Sequence, residues 1–272
     1  MTYGSSAGAA PTLAGGGPGA EPLLQVTDVS KSFGGIAAVS NMSFSVSAGE
    51  SVGLVGPNGA GKTTLFNCIC GQLRPEQGRV ELAGRAIDRL AVYQRARLGI
   101  GRTYQRVEVF ADMTVREHLL VAERVRRGDG RLWRDLCRMS RPCPEELERV
   151  DRVLALIGIT ERGDTPVSAL GLGSCRLVEL ARALVADPVI LLADEPSSGL
   201  DVEETKELGS VLRTLQQEHG MAVLLVEHDL TMVGAVVDRT IVMDLGSMVA
   251  EGTFDQVMSD PRVREAYLGT SA

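Results

Sequence analysis

The chain has few lysines, few aromatic side chains and no long apolar segment. Its 272 residues include three lysines beside 25 arginines, and aromatic residues make up 4% of the composition. No apolar run reaches the roughly 20 residues that a membrane-spanning helix needs, so a membrane role has to be peripheral or depend on partners. Residues 1–22 lack the charged start and apolar segment of a secretory signal, which predicts that the chain stays in the cytoplasm.

A surplus of positive charge is also missing. The formal net charge of -7 argues against broad binding of nucleic acid, because proteins that bind it usually carry a basic face or tail. The five cysteines form an odd set without metal-ligand spacing, which predicts free, reduced thiols. A hydrophobic content of 44% is ordinary for a globular protein, and the length suits one large domain or two small ones.

One short stretch matches the phosphate-binding pattern G-x-x-x-x-G-K-[ST] in full and follows directly on an apolar run. Glycines at both ends let the backbone curl into a nest whose N–H groups point at phosphate oxygens. Lys62 supplies a positive charge, Thr63 offers a hydroxyl to Mg²⁺, and the helix expected to follow directs its positive end at the nucleotide. The residues predicted to bind the nucleotide here are Gly56, Pro57, Asn58, Gly59, Ala60, Gly61, Lys62, Thr63 and Thr64.

Two further apolar runs end in polar residues of the kind that bind phosphate and metal. Residues 189–193 read as a central parallel strand buried on both faces, and ligands gather where such strands end. Asp194 and Glu195 follow directly, and we expect Asp194 to hold the Mg²⁺ shell and Glu195 to polarise an attacking water. The alternative is a capped strand end with solvated acids. His228 follows a second apolar run, where a contact with the γ-phosphate or with water competes with a purely structural role.

The pattern of the remaining segments predicts an inserted architecture. Residues 1–22 are rich in Gly, Ala, Ser and Pro and read as a flexible tail. Short alternating segments from Leu23 onward predict antiparallel strands, with Phe33 in a loop between them. Taken alone, Phe33 is expected to be a core residue rather than a ligand contact. Residues 106–184 are predicted to be mainly helical, with an exposed connection at 128–143.

We therefore predict an α/β fold: a P-loop NTPase core with a mixed sheet, an antiparallel β subdomain and an inserted helical subdomain. The domain would span residues 23–270. Its nucleotide-binding core is expected at 23–105 and 185–252, the helical subdomain at 106–184, and C-terminal helices at 253–270.

These features occur in the order and approximate spacing of an ATP-binding cassette ATPase, and the chain resembles that family over about residues 23–270. The resemblance rests on the phosphate loop, Gln105, residues 170–174, the pair Asp194-Glu195, and His228. It is strongest to the ATPase subunits of branched-chain amino acid transporters. That part rests on five shorter motifs: Phe33-Gly34-Gly35, Phe66-Asn67-Cys68, Arg102-Thr103-Tyr104-Gln105, Met113-Thr114-Val115 and Ala266-Tyr267-Leu268-Gly269.

The resemblance implies ATP and Mg²⁺ as cofactors and a role for each site residue. The aromatic ring of Phe33 would stack on adenine, and Gln105 would join the nucleotide site to the helical subdomain. Glu195 would be the catalytic base, His228 the switch histidine, and residues 198–201 the loop that crosses the dimer. The implied metal ligands are Thr63, Gln105 and Asp194.

One departure from the family lies in its signature segment, which normally reads Leu-Ser-x-Gly-Gln. Gly171 replaces the serine and Ser174 replaces the glutamine, whereas Gly173 is kept. In the family this segment binds the γ-phosphate held by the opposite subunit, and losing one hydroxyl to a charged acceptor costs about 1.5–3 kcal/mol. The chain's own Lys62 and Glu195 are intact. This contrast motivates the hypothesis of an asymmetric heterodimer with one strong and one weak ATP site; a homodimer is the alternative.

The function implied by the resemblance is ATP hydrolysis in an importer at the cytoplasmic face of the cell membrane. The implied partners are integral-membrane permease subunits, a second cassette ATPase and, through the permease, an extracytoplasmic solute-binding protein, with no nucleic acid. Branched-chain or other hydrophobic amino acids are the solutes suggested, and urea, amides or other small polar solutes stay open.

Two rival functions were weighed against the sequence. A soluble cassette ATPase of translation or DNA maintenance would usually carry two cassettes or a long coiled coil. This chain has one phosphate loop and no sustained heptads. A non-hydrolysing regulatory or structural subunit is supported by the altered signature and opposed by the intact Asp194, Glu195 and His228.

Overall fold

The structure, a computed structural model, describes residues 22–103, 112–127 and 142–268. The tail predicted up to residue 21, Gln105, and most of the connection predicted at 128–143 lie outside the described residues. No helix in the described part of the chain has the length and apolar character to cross a membrane.

The described residues form ten strands and nine α-helices. The strands are β1 (Leu24–Phe33), β2 (Ile36–Val46), β3 (Ser51–Val55), β4 (Gln77–Leu82), β5 (Arg85–Ala86), β6 (Ile100–Arg102), β7 (Ile190–Asp194), β8 (Ala222–Val226), β9 (Arg239–Asp244) and β10 (Ser247–Gly252). The helices are α1 (Lys62–Cys70), α2 (Val92–Arg97), α3 (Val115–Arg127), α4 (Pro144–Leu156), α5 (Leu172–Val185), α6 (Val202–His219), α7 (Leu230–Val236), α8 (Phe254–Ser259) and α9 (Pro261–Leu268).

A six-stranded mixed sheet in the order β10-β9-β3-β8-β7-β6 forms the centre of the fold. Five of its strands are parallel, and β10 joins β9 in antiparallel pairing. Every residue of β3, β7 and β8 is buried, as expected for parallel strands covered on both faces. The register places Val226 beside both Leu54 and Asp194, so the ends of these three strands lie side by side.

The sheet separates two apolar cores because successive strand residues point to opposite faces. In β7, Ile190 and Leu192 pack with α1 and the antiparallel strands, whereas Leu191 and Ala193 pack with the helices of the other face. The second core continues without a break into α3, α4 and α5. The division of the chain into a nucleotide-binding core and a helical subdomain stays a prediction.

The smaller antiparallel sheet has the order β2-β1-β4-β5 and corrects two expectations. The predicted loop around Phe33 is mostly strand, since β1 continues through Phe33 and only Gly34 and Gly35, both with positive φ, form the turn. The interpretation of Phe33 as a core residue is wrong, because its side chain is 49% exposed. The hairpin extends past the apolar core, so its end residues, Phe33 and the paired Ile36, project into solvent.

Helix α3 begins where its capping pattern predicts. The backbone N–H of Glu117 donates to the Thr114 hydroxyl and the N–H of Thr114 donates to the Glu117 carboxylate, at 3.2 and 2.8 Å. Val115 and Leu119 are buried as expected, but Val125 is 57% exposed, because the last turn of α3 lies beyond the core.

The helix after the phosphate loop is fixed at its far end by a buried arginine. Arg95 donates from Nη1 to the carbonyl oxygens of Cys68 and Ile69, both at 2.7 Å, and so caps the last turn of α1. Burial also raises the pKa of the Cys68 thiol to about 11 and that of Cys70 to about 12, so both stay protonated at neutral pH.

Candidate nucleotide site

Four neighbouring parallel strands end at one edge of the large sheet, and each is followed by polar residues. The phosphate loop follows β3, His228 lies two residues beyond β8, Asp194 ends β7, and Arg102 ends β6. The edge thus brings together the predicted phosphate loop, Asp194, Glu195 and His228. Gln105, which lies three residues past Arg102, is outside the described residues.

The phosphate loop is closed by its own lysine. Lys62 is buried, and its Nζ donates to the carbonyl oxygens of Gly56 at 2.6 Å and Pro57 at 3.0 Å. Burial lowers the pKa of Lys62, while the carboxylates of Glu195 and Asp194 oppose that shift. The positive charge is therefore held at the loop and faces the acids at the end of β7.

Two glycines of the loop have no room for a side chain. A Cβ on Gly56 would lie 2.1 Å from the Met243 carbonyl oxygen, and one on Gly61 would lie 2.1 Å from that of Ala38. Both residues have positive φ, at 149° and 98°, which also favours glycine. The glycines of the pattern are required by the close approach of β9 and β2 to the loop.

The start of α1 is open to an anion. Gly61 is its N-cap and supplies no side-chain cap, so the first N–H groups of the helix are available to a phosphate. Asn58, Gly59 and Thr63 are exposed, and the Thr63 hydroxyl is in the first turn. Loop, helix end and lysine together fit a polyphosphate.

The acids at the end of β7 lie at an edge of the sheet that carries several carboxylates. Asp194 is 6% exposed, and Nη2 of Arg102 lies 3.5 Å from its Oδ2. Burial raises the pKa of Asp194, with Glu195 and Glu227 adding to the rise and Arg102 opposing it. Carboxylate and hydroxyl oxygens are the ligands that Mg²⁺ prefers, so Asp194 and Thr63 fit a magnesium ion.

Glu195 has an unusual backbone conformation. Its φ is +46°, which is uncommon for a residue other than glycine, and its N–H donates to the Val226 carbonyl oxygen at 2.8 Å. This left-handed turn redirects the chain immediately after Asp194. The conformation is fixed by the register of β7 beside β8, because the acceptor is the last residue of β8.

The end of β8 carries an exposed histidine and a buried acid. The His228 side chain is 57% exposed, whereas that of Glu227 is 0% exposed. Glu227 accepts the backbone N–H of Ser197 at 2.9 Å and that of His228 at 3.1 Å. It ties the loop after Glu195 to the end of β8.

Arg102 and Glu227 are two residues of this edge for which no role was predicted. The available signal was a charged residue placed at or directly after a buried parallel strand, the same signal that identified Asp194.

Two predicted groups belong to other elements than the four strands of this edge. Phe33 is exposed, with Lys31 Nζ at 5.3 Å from its ring centroid, and is open to stacking by a planar ligand.

Gly171 is the N-cap of α5, and an added Cβ there would meet nothing within 4 Å. Gly173 donates its N–H to Glu204 Oε1 at 3.2 Å, and Ser174 accepts a hydrogen bond from Arg162. Their assignment to the signature stays a prediction.

A family model described as ABC transporter matches residues 39–198, more than half of the chain. The chain belongs to the ABC transporter family. A second model, described as Branched-chain amino acid ATP-binding cassette transporter, matches residues 247–272. The resemblance to branched-chain amino acid cassettes is thereby confirmed, although the roles of the single residues stay predictions.

Curated relatives match over nearly their whole length. The high-affinity branched-chain amino acid transport ATP-binding protein LivG of Salmonella typhimurium is 40% identical over 92% of this chain and 98% of its own. BraF of Pseudomonas aeruginosa, with the same description, is 37% identical over 91% and 98%. The lipopolysaccharide export system ATP-binding protein LptB of Haemophilus influenzae is 34% identical over 91% and 97%.

A solved structure confirms the fold class. The ADP conformation of MJ1267, an ATP-binding cassette of an ABC transporter, superimposes with a TM-score of 0.83 at 31% identity, covering 92% of this chain and all of that one. The ABC cassette therefore has the predicted P-loop NTPase fold, and ATP hydrolysis is the activity of this family.

The Glu227 carboxylate generates a first prediction. Glu227→Ala leaves the buried N–H of Ser197 without its acceptor, and we expect a loss of about 1–3 kcal/mol in the free energy of unfolding. Amide exchange at Ser197 should accelerate, measured by hydrogen exchange with mass spectrometry. The control is Glu203→Ala, which removes an exposed carboxylate that pairs with Lys206. Equal stability and equal exchange in the two variants would contradict the role of Glu227.

Proposed function

We propose that this cassette is the ATP-hydrolysing subunit of an importer for branched-chain or other hydrophobic amino acids, bound peripherally at the cytoplasmic face of the cell membrane. The observation that carries the chemistry is the single sheet edge that collects Lys62, Asp194, Glu195 and His228. The substrate class is supported by two amino acid transport relatives, at 40% and 37% identity, and by the matching C-terminal model.

The arrangement performs hydrolysis mainly by positioning and by charge. Lys62, the loop N–H groups and the start of α1 hold the phosphates, and Phe33 stacks on the base. Thr63 and Asp194, with Gln105, would hold Mg²⁺, which neutralises charge on the phosphates. Glu195 takes the proton of the attacking water, and His228 contacts the γ-phosphate.

Glu195→Gln separates binding from chemistry. An amide cannot accept the proton of the water, so we expect turnover in the assembled complex to fall about 100-fold or more while ATP still binds. Steady-state phosphate release measures turnover, and equilibrium nucleotide binding measures the affinity for ATP. Glu203→Gln, an exposed carboxylate on α6, serves as control and should keep full turnover. Normal turnover in Glu195→Gln would refute the assignment, and turnover absent from the unmodified complex would favour a non-hydrolysing subunit.

A cavity on the cassette suits contact with the permease. About 800 Å³ of space lies between the segment from α2 to β6 and the helices α3 and α5. Exposed apolar side chains line it, namely Val92, Tyr93 and Val125. We assign it to a cytoplasmic segment of the permease, because a group of exposed apolar side chains marks an interaction site. Movement of the helices relative to the sheet would then reach the membrane subunits.

Co-purification tests the transporter assignment. Tagged Glu195→Gln protein, extracted from membranes with detergent and Mg-ATP, should bring multi-span permeases and a second cassette ATPase, identified by mass spectrometry. A co-purified solute-binding protein would name the substrate class. Recovery of soluble partners alone, such as ribosomes, would overturn the transport role while leaving the ATP chemistry intact.

The co-purification experiment also tests whether the cavity contacts the permease. Val125→Glu should reduce recovery of the permeases, since it places a charge in the proposed interface. Ala155→Glu, on the exposed side of α4, is the matched control and should not. Equal recovery would contradict the assignment of the cavity.

The altered signature supports an asymmetric pair with a second, different cassette. Gly171 has an ordinary extended backbone, with φ −70° and ψ 167°, and space for a side chain, so serine fits without rearrangement. Gly171 would contact the ATP bound to the partner cassette. Its change therefore leaves the chain's own Asp194 and Glu195 able to act in ATP hydrolysis.

Gly171→Ser should therefore raise ATP turnover of the assembled complex. A hydrogen bond to a charged phosphate contributes about 1.5–3 kcal/mol, so the restored site should gain about ten- to a hundredfold. Gly171→Ala adds the Cβ without the hydroxyl and should leave turnover unchanged. No change with serine, or the same change with alanine, would sink the hypothesis.

A further inference from the structure

Arg102 lies next to the acid that the proposed function assigns to the metal. It ends β6, where it pairs with Leu192 of β7, two residues before Asp194. Its guanidinium reaches along the strand direction, and Nη2 lies 3.5 Å from Asp194 Oδ2. Both side chains are largely buried, at 14% and 8% exposure. Little solvent therefore separates the two charges.

The Arg102 guanidinium also lies over an aromatic ring. The guanidinium carbon of Arg102 lies 4.9 Å from the ring centroid of Phe66, a fully buried residue of α1. Contacts of this kind fix the planar group, and lysine reproduces them poorly. The arginine is thus placed between the helix that follows the phosphate loop and the acid at the end of β7.

The position of Arg102 puts it in competition with a divalent cation. Asp194, Glu195 and Glu227 give this edge three carboxylates, and a second nearby cation, Lys62, is bonded to two loop carbonyls. A guanidinium beside Asp194 offsets part of that charge. It also repels any cation that approaches the same carboxylate, because like charges in a buried site interact strongly.

We propose that Arg102 is the counter-ion of Asp194 in the metal-free cassette and leaves that carboxylate when Mg²⁺ binds, so that Arg102 sets the affinity of the nucleotide site for the metal. This inference rests on the proposed function, in which Asp194 holds the magnesium shell. Arg102 acts through Asp194 and is a positioning residue rather than a catalytic one.

The test measures metal affinity rather than turnover. Mn²⁺ is titrated into the full chain saturated with a non-hydrolysable ATP analogue and followed by electron paramagnetic resonance. Arg102→Met removes the competing charge, so the dissociation constant for Mn²⁺ should fall about tenfold or more, the scale of effect that one nearby charge has in a buried site. Arg102→Lys keeps the positive charge but not the planar contact with Phe66, so its dissociation constant should lie between those of the unmodified chain and Arg102→Met.

Thermal unfolding supplies a second readout. Without metal, Arg102→Met leaves Asp194 unpaired and should melt at a lower temperature than the unmodified chain. Mn²⁺ with the nucleotide analogue should restore most of that loss. A merely structural role for Arg102 predicts the same loss with and without metal, and that result would overturn the proposal. Arg102→Gln replaces Arg102→Met if the latter does not fold.

Asp194→Asn separates failure of the inference from failure of the function. It should weaken Mn²⁺ binding, and in the double variant with Arg102→Met the gain in affinity should disappear. If Asp194→Asn binds Mn²⁺ as tightly as the unmodified chain, both the metal assignment and the inference fail. If Asp194→Asn weakens binding but Arg102→Met does not strengthen it, the inference alone is overturned.

Discussion

Parallel pairing of β3, β8, β7 and β6 is the constraint on which the rest of the structure depends. Parallel strands all end at the same edge of a sheet. The residues that end or follow these four strands therefore lie side by side along that edge. The register of the pairing aligns the strand ends, because Val226 lies beside both Leu54 and Asp194. A slip of one residue in β7 would exchange the side chains that face the two cores and move Asp194 out of its place beside Val226. The register that fills the two cores therefore also positions the site.

The cost of this arrangement is electrostatic. Asp194, Glu195 and Glu227 meet at an edge whose neighbouring positive groups are Lys62 and Arg102, and burial weakens the screening by water. The structure offsets the charge with backbone donors and with one guanidinium. Glu227 accepts the N–H of Ser197, and Asp194 lies beside Arg102. The edge is suited to bind a magnesium ion together with an anionic phosphate. The metal ion would lie near the carboxylates, and the phosphate would lie near Lys62.

The sequence predicts those parts of the fold and site that are local in the chain. The phosphate loop follows from nine consecutive residues, the buried strands from continuous apolar runs, and the start of α3 from Thr114 and Glu117. Arg102 and Glu227 were not identified, because their partners lie 92 and 30 residues away and only the folded sheet brings them together. The composition around Phe33 taken alone indicated a core residue, and its exposure could not be read locally because it depends on how far the hairpin extends beyond the core.

The turn at residues 171–174, which the resemblance assigns to the signature, is held in place by its backbone contacts and not by a side chain at residue 171. Glu204 accepts the N–H of Gly173 with one carboxylate oxygen and the N–H of Asp201 with the other. One residue of α6 thus joins the signature turn to the loop assigned to the dimer crossing. A Cβ at Gly173 would collide with Glu204 at 2.7 Å, whereas one at Gly171 would meet nothing. Gly173, which lies against the Glu204 side chain, matches the family pattern, whereas the departure at residue 171 falls at a position without steric constraint. If the assignment to the signature holds, the change at Gly171 would alter the chemistry offered to a partner, while the open space around Gly171 leaves the fold of this cassette unaffected.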